Sequence, residues 1–171
     1  MNKNRLRGCL VSMAVLLSAV FASVAQAIEL PAGTKIEIVI ELEVSSKHFA
    51  PNDQIPIRLH GTIEVGGIVL VEDGAKGAAR VKSVQPAGKR GKPGRIEVDL
   101  VELEPKGAYK AEGDKRIAIT SVDGPITAEG KGRKILSYLF IFGLFIKGTE
   151  AVIPADKPFP ATIAEDIMLN K

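Results

Sequence analysis

The chain has 171 residues, 46% of them hydrophobic, with 23 Lys+Arg against 20 Asp+Glu and a single cysteine. That composition excludes a disordered chain and a disulfide framework or cysteine-based zinc site. It also excludes a nucleic-acid tail built on a block of like charge.

Lys3, Arg5 and Arg7 open the chain as a positive stretch. Leu10 to Val24 follows as a run of apolar and small residues, and Ala25-Gln26-Ala27 ends it. This is the three-part form of a secretory signal peptide, helical in its apolar part, with Ala25 and Ala27 marking the cleavage site. The apolar run is about 15 residues, short of the roughly 20 that a spanning helix needs. Cys9 comes before that run rather than after it, which argues against a lipoprotein anchor. The expected mature chain is one domain, residues 28–171, working in the periplasm or cell envelope. Removing the three basic residues leaves 20 basic against 20 acidic, so its net charge is near zero.

Lys35 to Val44 alternates Ile36, Ile38, Ile40, Leu42 and Val44 with a mostly acidic face, which predicts a half-buried strand. Ile55 to Val65 is a second candidate, with Pro56 near its start. Gly66-Gly67 between β-branched runs predicts a hairpin joining Thr62–Val65 to Ile68–Val71, because both turn positions can take positive φ. Asp73-Gly74 marks the next turn, before a strand over Ala78–Val84. Pro86 to Gly94 is a loop by its glycines and prolines. Arg95–Leu103 returns as a strand whose alternation slips after Leu100, the mark of a bulge. Further turn signals bracket short strands near Ala108–Ala111 and Arg116–Thr120, and the tail ends in an apolar stretch, Ala161–Leu169. No sustained helical period occurs after residue 27. The fold expected is all-β, a small antiparallel barrel or sandwich.

Ile135 to Ile146 breaks the pattern. It is continuously apolar, holds Tyr138, Phe140, Phe142 and Phe145, and is flanked by Arg133, Lys134 and Lys147. As a helix it would reach about 18 Å, too short for a hydrocarbon core of about 30 Å. It reads as an element buried on all sides, or as an apolar contact for a membrane or partner, with a single span as the remaining alternative. In the second reading Tyr138, Leu139, Phe140, Phe142, Leu144 and Phe145 make the contact.

The two histidines, His48 and His60, have no ligand spacing around them, so neither a metal nor another cofactor is expected. Ser45 and Ser46 precede His48 without a nucleophile elbow. Glu97/Asp99 and Glu102/Glu104 are i, i+2 carboxylates, the ordinary outcome of a solvated strand face. Lys89-Arg90-Lys92-Arg95, Lys115-Arg116 and Lys131-Arg133-Lys134 are basic loops, read as solvated tips or as an anion-contacting edge. No aromatic residues interleave with them, which argues against nucleic acid.

Leu30-Pro31-Ala32-Gly33-Thr34-Lys35-Ile36, Val44-Ser45-Ser46 and the stretch from Gly67 to Gly77 resemble the opening of the periplasmic β-barrel domain of TrbI-like type IV secretion and conjugation proteins. The resemblance implies a small distorted barrel that assembles into an envelope ring, with an apolar insertion on the outer membrane for which Ile135–Ile146 would be a short analogue. It covers about 30 residues of the mature chain. Glu72 or Asp73 stands where that family has proline, and the long N-terminal half has no counterpart here. The resemblance therefore supports an envelope barrel and not a role in secretion.

Together these readings predict an exported, non-enzymatic module acting as an envelope scaffold or binding component. Its partners would be the envelope membrane or another envelope protein, with an oligomer compatible and nucleic acid excluded. The alternative is a small periplasmic hydrolase using acidic strand residues and a histidine.

Overall fold

Alternating isoleucine, leucine and valine build the wall and the filling of a barrel. The computed structural model describes residues 27–89, 91–131 and 147–171. Its strands are β1 (Ala27–Leu30), β2 (Lys35–Ile40), β3 (Val44–Ser45), β4 (Gln54–His60), β5 (Ile63–Val65), β6 (Ile68–Val71) and β7 (Lys76–Gln85). They continue with β8 (Arg95–Leu103), β9 (Lys110–Ala111), β10 (Ile117–Ser121), β11 (Ile126–Glu129), β12 (Val152–Ile153), β13 (Pro158–Ile163) and β14 (Ile167–Asn170). The described residues contain no α-helix, only a three-residue 3-10 turn at Glu112–Asp114. Residues 1–26, where a signal peptide was expected, lie outside the described residues, Ala25 among them. So does the apolar segment 135–146, with Tyr138, Leu139, Phe140, Phe142, Leu144 and Phe145. Ala27 is described, as the first residue of β1.

The main sheet runs β10-β13-β2-β4-β7-β8-β11, and an additional β10–β8 pairing closes six of these strands into an antiparallel barrel. Of the two expected architectures, barrel and sandwich, the barrel is the one formed. Closure removes most sheet edges. Its interior holds Ile38, Ile40, Ile55, Ile57, Ile96, Val98, Leu103, Ile117 and Ile163, none more than 1% exposed. β8 serves two neighbours: its first half pairs with β11 through Ile126↔Val98, its end with β10 through Ile117↔Leu103.

Register assigns each connection to one end of the barrel. At one end lie residues 31–34, the β5–β6 hairpin, residues 104–116 and the turn at 164–166. The sheet β1-β14-β9 is attached there, and its Leu30, Leu169 and Ala111 join the barrel core. The other end gathers residues 41–53, the loop 86–94, residues 130–131 and residues 147–157. There β3 pairs with β12, and Val44, Ala151 and Ile153 are buried in the same core.

Three strand expectations change. The strand predicted over Lys35–Val44 stops at Ile40, because Pro56 faces Glu41 and has no N–H to continue the β2–β4 ladder. Val44 is buried instead in β3, and Leu42 is only partly buried. The run Ile55–Val65 splits at Gly61, where φ is +89°, into β4 and β5. The terminal apolar stretch splits into β13 and β14, which pair with different strands.

Candidate functional site

The described residues on either side of the apolar segment meet at one place on the barrel. Thr149 N–H donates to the Lys131 carbonyl at 3.2 Å, and Thr149 Oγ1 donates to the same carbonyl at 3.0 Å. Lys131 N–H in turn donates to Thr149 Oγ1. Gly130 N–H reaches the Gly94 carbonyl at 2.8 Å, Gly94 N–H the Thr149 carbonyl at 3.0 Å, and Gly148 N–H the Gly88 carbonyl at 3.1 Å. Three chain segments are thus tied into one ledge: the loop 86–94, residues 130–131 and residues 147–149. The approach is so close that a Cβ on Gly130 would overlap the Thr149 carbonyl, and one on Gly148 the Lys92 carbonyl.

Beneath the ledge sits a carboxylate. Glu150 Oε2 accepts Ala87 N–H at 2.8 Å and the Ser46 hydroxyl at 2.9 Å, while Oε1 pairs with Lys147 Nζ at 3.0 Å. The Ser46 oxygen also accepts Ala151 N–H at 2.9 Å, and Ser46 is 1% exposed. The Ala87 amide, then Lys147 and the Ser46 hydroxyl hold the Glu150 carboxyl down to about 2. Ser46 therefore joins the carboxylate node, and its hydroxyl does not serve His48. His48 is exposed in the turn after β3, its N–H on the Ser45 carbonyl.

Two of the basic loops come together here. Lys89 and Lys92 lie on the ledge with Lys131 and Lys147, all exposed. Lys115 and Arg116 lie at the opposite end, beside Glu104 and Lys110, and Arg116 is ion-paired to Glu102. The i, i+2 carboxylates are mostly occupied by cations: Glu97 by Arg95 at 3.3 Å, Asp99 by Lys82 at 3.6 Å and Glu102 by Arg116. This is the pairing of a solvated strand face.

His60 is also at the opposite end. It faces Glu37 across β2–β4 and lines a shallow groove of about 480 Å³ with Lys35, Thr62, Val122 and Pro160. Nearby Asp73 accepts Gly61 N–H at 2.8 Å, which draws its carboxyl below the ordinary range. Both displaced carboxyls, Glu150 and Asp73, are held as anions, the opposite of the shift that prepares a general acid near neutrality. Among the described residues, no three His, Cys, Asp or Glu side chains gather as metal ligands.

Sequence reading did not find the ledge or the Glu150 node. The glycines Gly94, Gly130 and Gly148 were the available signal, since each stands where backbones nearly touch. No family model, curated protein or solved structure matches this chain.

Proposed function

We propose that the protein is an exported, non-enzymatic barrel of the cell envelope that presents Ile135–Ile146 to a membrane or to an envelope partner. The observation that carries this reading is the Lys131–Thr149 clamp. It joins the chain on both sides of an apolar run and anchors it to a closed, well-filled barrel. Flanks tied to one rigid base suit an apolar run that is presented to a partner. The barrel itself is packed with aliphatic side chains, which suits a scaffold better than a ligand container.

The test is flotation of the exported protein with lipid vesicles, beside a Phe140→Ser/Phe142→Ser/Phe145→Ser variant, with circular dichroism on both. The native protein should float, and the variant should stay folded and remain in the dense fraction. If neither floats and the variant unfolds, the segment belongs to the core and the reading falls.

A further inference from the structure

We infer that Asp123–Gly124 is a site of spontaneous isoaspartate formation in the folded protein, and that the same dipeptide at Asp73–Gly74 is protected by its hydrogen bonds.

The chemistry needs only the chain and water. The glycine main-chain N–H adds to the protonated carboxyl group of the preceding aspartate. A C–N bond forms, a C–O bond breaks, and the proton from nitrogen leaves with the hydroxyl as water. The product is a five-membered succinimide. Water then adds back at either ring carbonyl. Opening on one side returns aspartate. Opening on the other routes the main chain through the former side chain and lengthens it by one methylene. Glycine favours ring closure because it has no Cβ to hinder the close approach. The sequence holds two Asp-Gly pairs, at 73–74 and 123–124.

At Asp73 both reacting groups are engaged. Its Oδ1 accepts Gly61 N–H at 2.8 Å, and Gly74 N–H donates to the Leu59 carbonyl at 3.1 Å. Lys106 Nζ also donates to the Asp73 carbonyl at 2.7 Å. The Gly61 amide draws the carboxyl below its ordinary range, so less of it carries the proton that must leave.

At Asp123 neither group is engaged. Among the described residues no hydrogen bond reaches the Asp123 carboxyl or the Gly124 N–H. Both residues are exposed, and a Cβ placed on Gly124 would meet nothing within 4 Å.

Register explains the slack. β10 and β11 run in the same direction along β8. Ala118 pairs with Glu102 and Ile126 with Val98, so residues 119–125 stand against only 99–101. Residues 119–121 use the surplus to pair with β13. Residues 122–125 are left outside the ladders as an exposed turn. Such a turn samples the bent geometry of ring closure without opening the barrel. The turn also borders two surface hollows. Val122 lines the groove beside His60, and Gly124 and Pro125 line a recess of about 280 Å³ with Lys82 and Asp99. A longer main chain here reshapes both.

The experiment stores the exported protein in neutral buffer, folded and in urea, and samples it over weeks. Trypsin places the two sites on separate peptides, residues 59–76 and 117–131. Isoaspartate in each is read by enzymatic methyl transfer and by fragmentation mass spectrometry. Each hydrogen bond that must open first slows the reaction by about fivefold. With two such bonds at Asp73, Asp123 should convert at least about tenfold faster in the folded protein. In urea the gap should close, because Asp73 speeds up while Asp123 changes little. Asp123→Glu should abolish conversion on the 117–131 peptide and keep the native circular dichroism spectrum. Equal rates at the two sites in the folded protein would overturn the inference. So would an Asp123 that folding slows as much as it slows Asp73.

Discussion

The Ser46 hydroxyl donates to Glu150 Oε2 at 2.9 Å across 104 residues of sequence, and its oxygen accepts Ala151 N–H at the same distance. One small side chain thus joins β3 to the return from the apolar segment. Replacing it with alanine leaves the buried Ala151 N–H without an acceptor and removes one donor from Glu150. Ser46→Ala should lose about 2 kcal/mol, a fall in melting temperature of about 4–8 °C. Ser45→Ala is the control. Ser45 only accepts Lys47 N–H at 3.3 Å, and its loss should be about 1 kcal/mol or less. Thermal melts followed by circular dichroism measure both, and equal shifts would contradict the node.

Acid should loosen the same node. The Glu150 carboxyl is lowered from 4.5 to about 2, first by the Ala87 amide and then by Lys147 and Ser46. In that interval the unfolded chain binds the proton that the folded one refuses. The stabilisation is therefore complete above pH 4.5 and is lost as pH falls toward 2. Glu150→Gln should be less stable than the native protein above this window, and the gap between them should narrow as pH falls through it. Urea unfolding across the window gives the comparison. A gap that stays constant with pH would mean that Glu150 contributes through shape and not charge.

Two kinds of glycine should respond differently to substitution. Gly148 has no room: a Cβ there overlaps the Lys92 carbonyl, a backbone atom held by Gly88. Gly148→Ala should destabilise by about 2–3 kcal/mol. Gly66 has open space but a φ of +60°, the first central position of a type I′ turn with Gly67. Gly66→Ala should lose about 1 kcal/mol, while Gly66→Asn should be close to neutral, since asparagine tolerates that conformation. Denaturant midpoints of the three variants test the ordering.

What the sequence made legible was local. β8 spans Arg95–Leu103 as the alternation predicted, and the slip after Leu100 is a real bulge: Ala79 pairs with Leu100, but Ala78 pairs with Glu102, leaving Val101 extra. Gly66-Gly67 turns the β5–β6 hairpin as expected. A second bulge, between Val81 and Ser83, went unread because Lys82 keeps an exposed, polar appearance in either register. Closure of the barrel was out of reach, since the Ile117↔Leu103 pairing of β10 with β8 depends on where the chain goes between them. The candidate site was legible only as separate basic loops. Their meeting depends on hydrogen bonds between main-chain groups, which carry no side-chain signature.

β13 carries a last testable feature. Ile163 exchanges hydrogen bonds with Gly33 and Thr34, on the β2 side. Alternation along the strand turns the even-numbered positions the other way, toward β10. β10 covers that edge only from Ala161 to Ile163. Beyond it stand Pro158 and Pro160, both exposed and both without an N–H to offer. Prolines at this spacing deny a second chain the donors for edge pairing. Pro158→Thr/Pro160→Thr restores two donors and adds a residue type that favours strands. This variant should keep the native circular dichroism spectrum but self-associate faster. Light scattering at rising protein concentration reads the difference, and an unchanged association rate would mean that this edge is already blocked by other means.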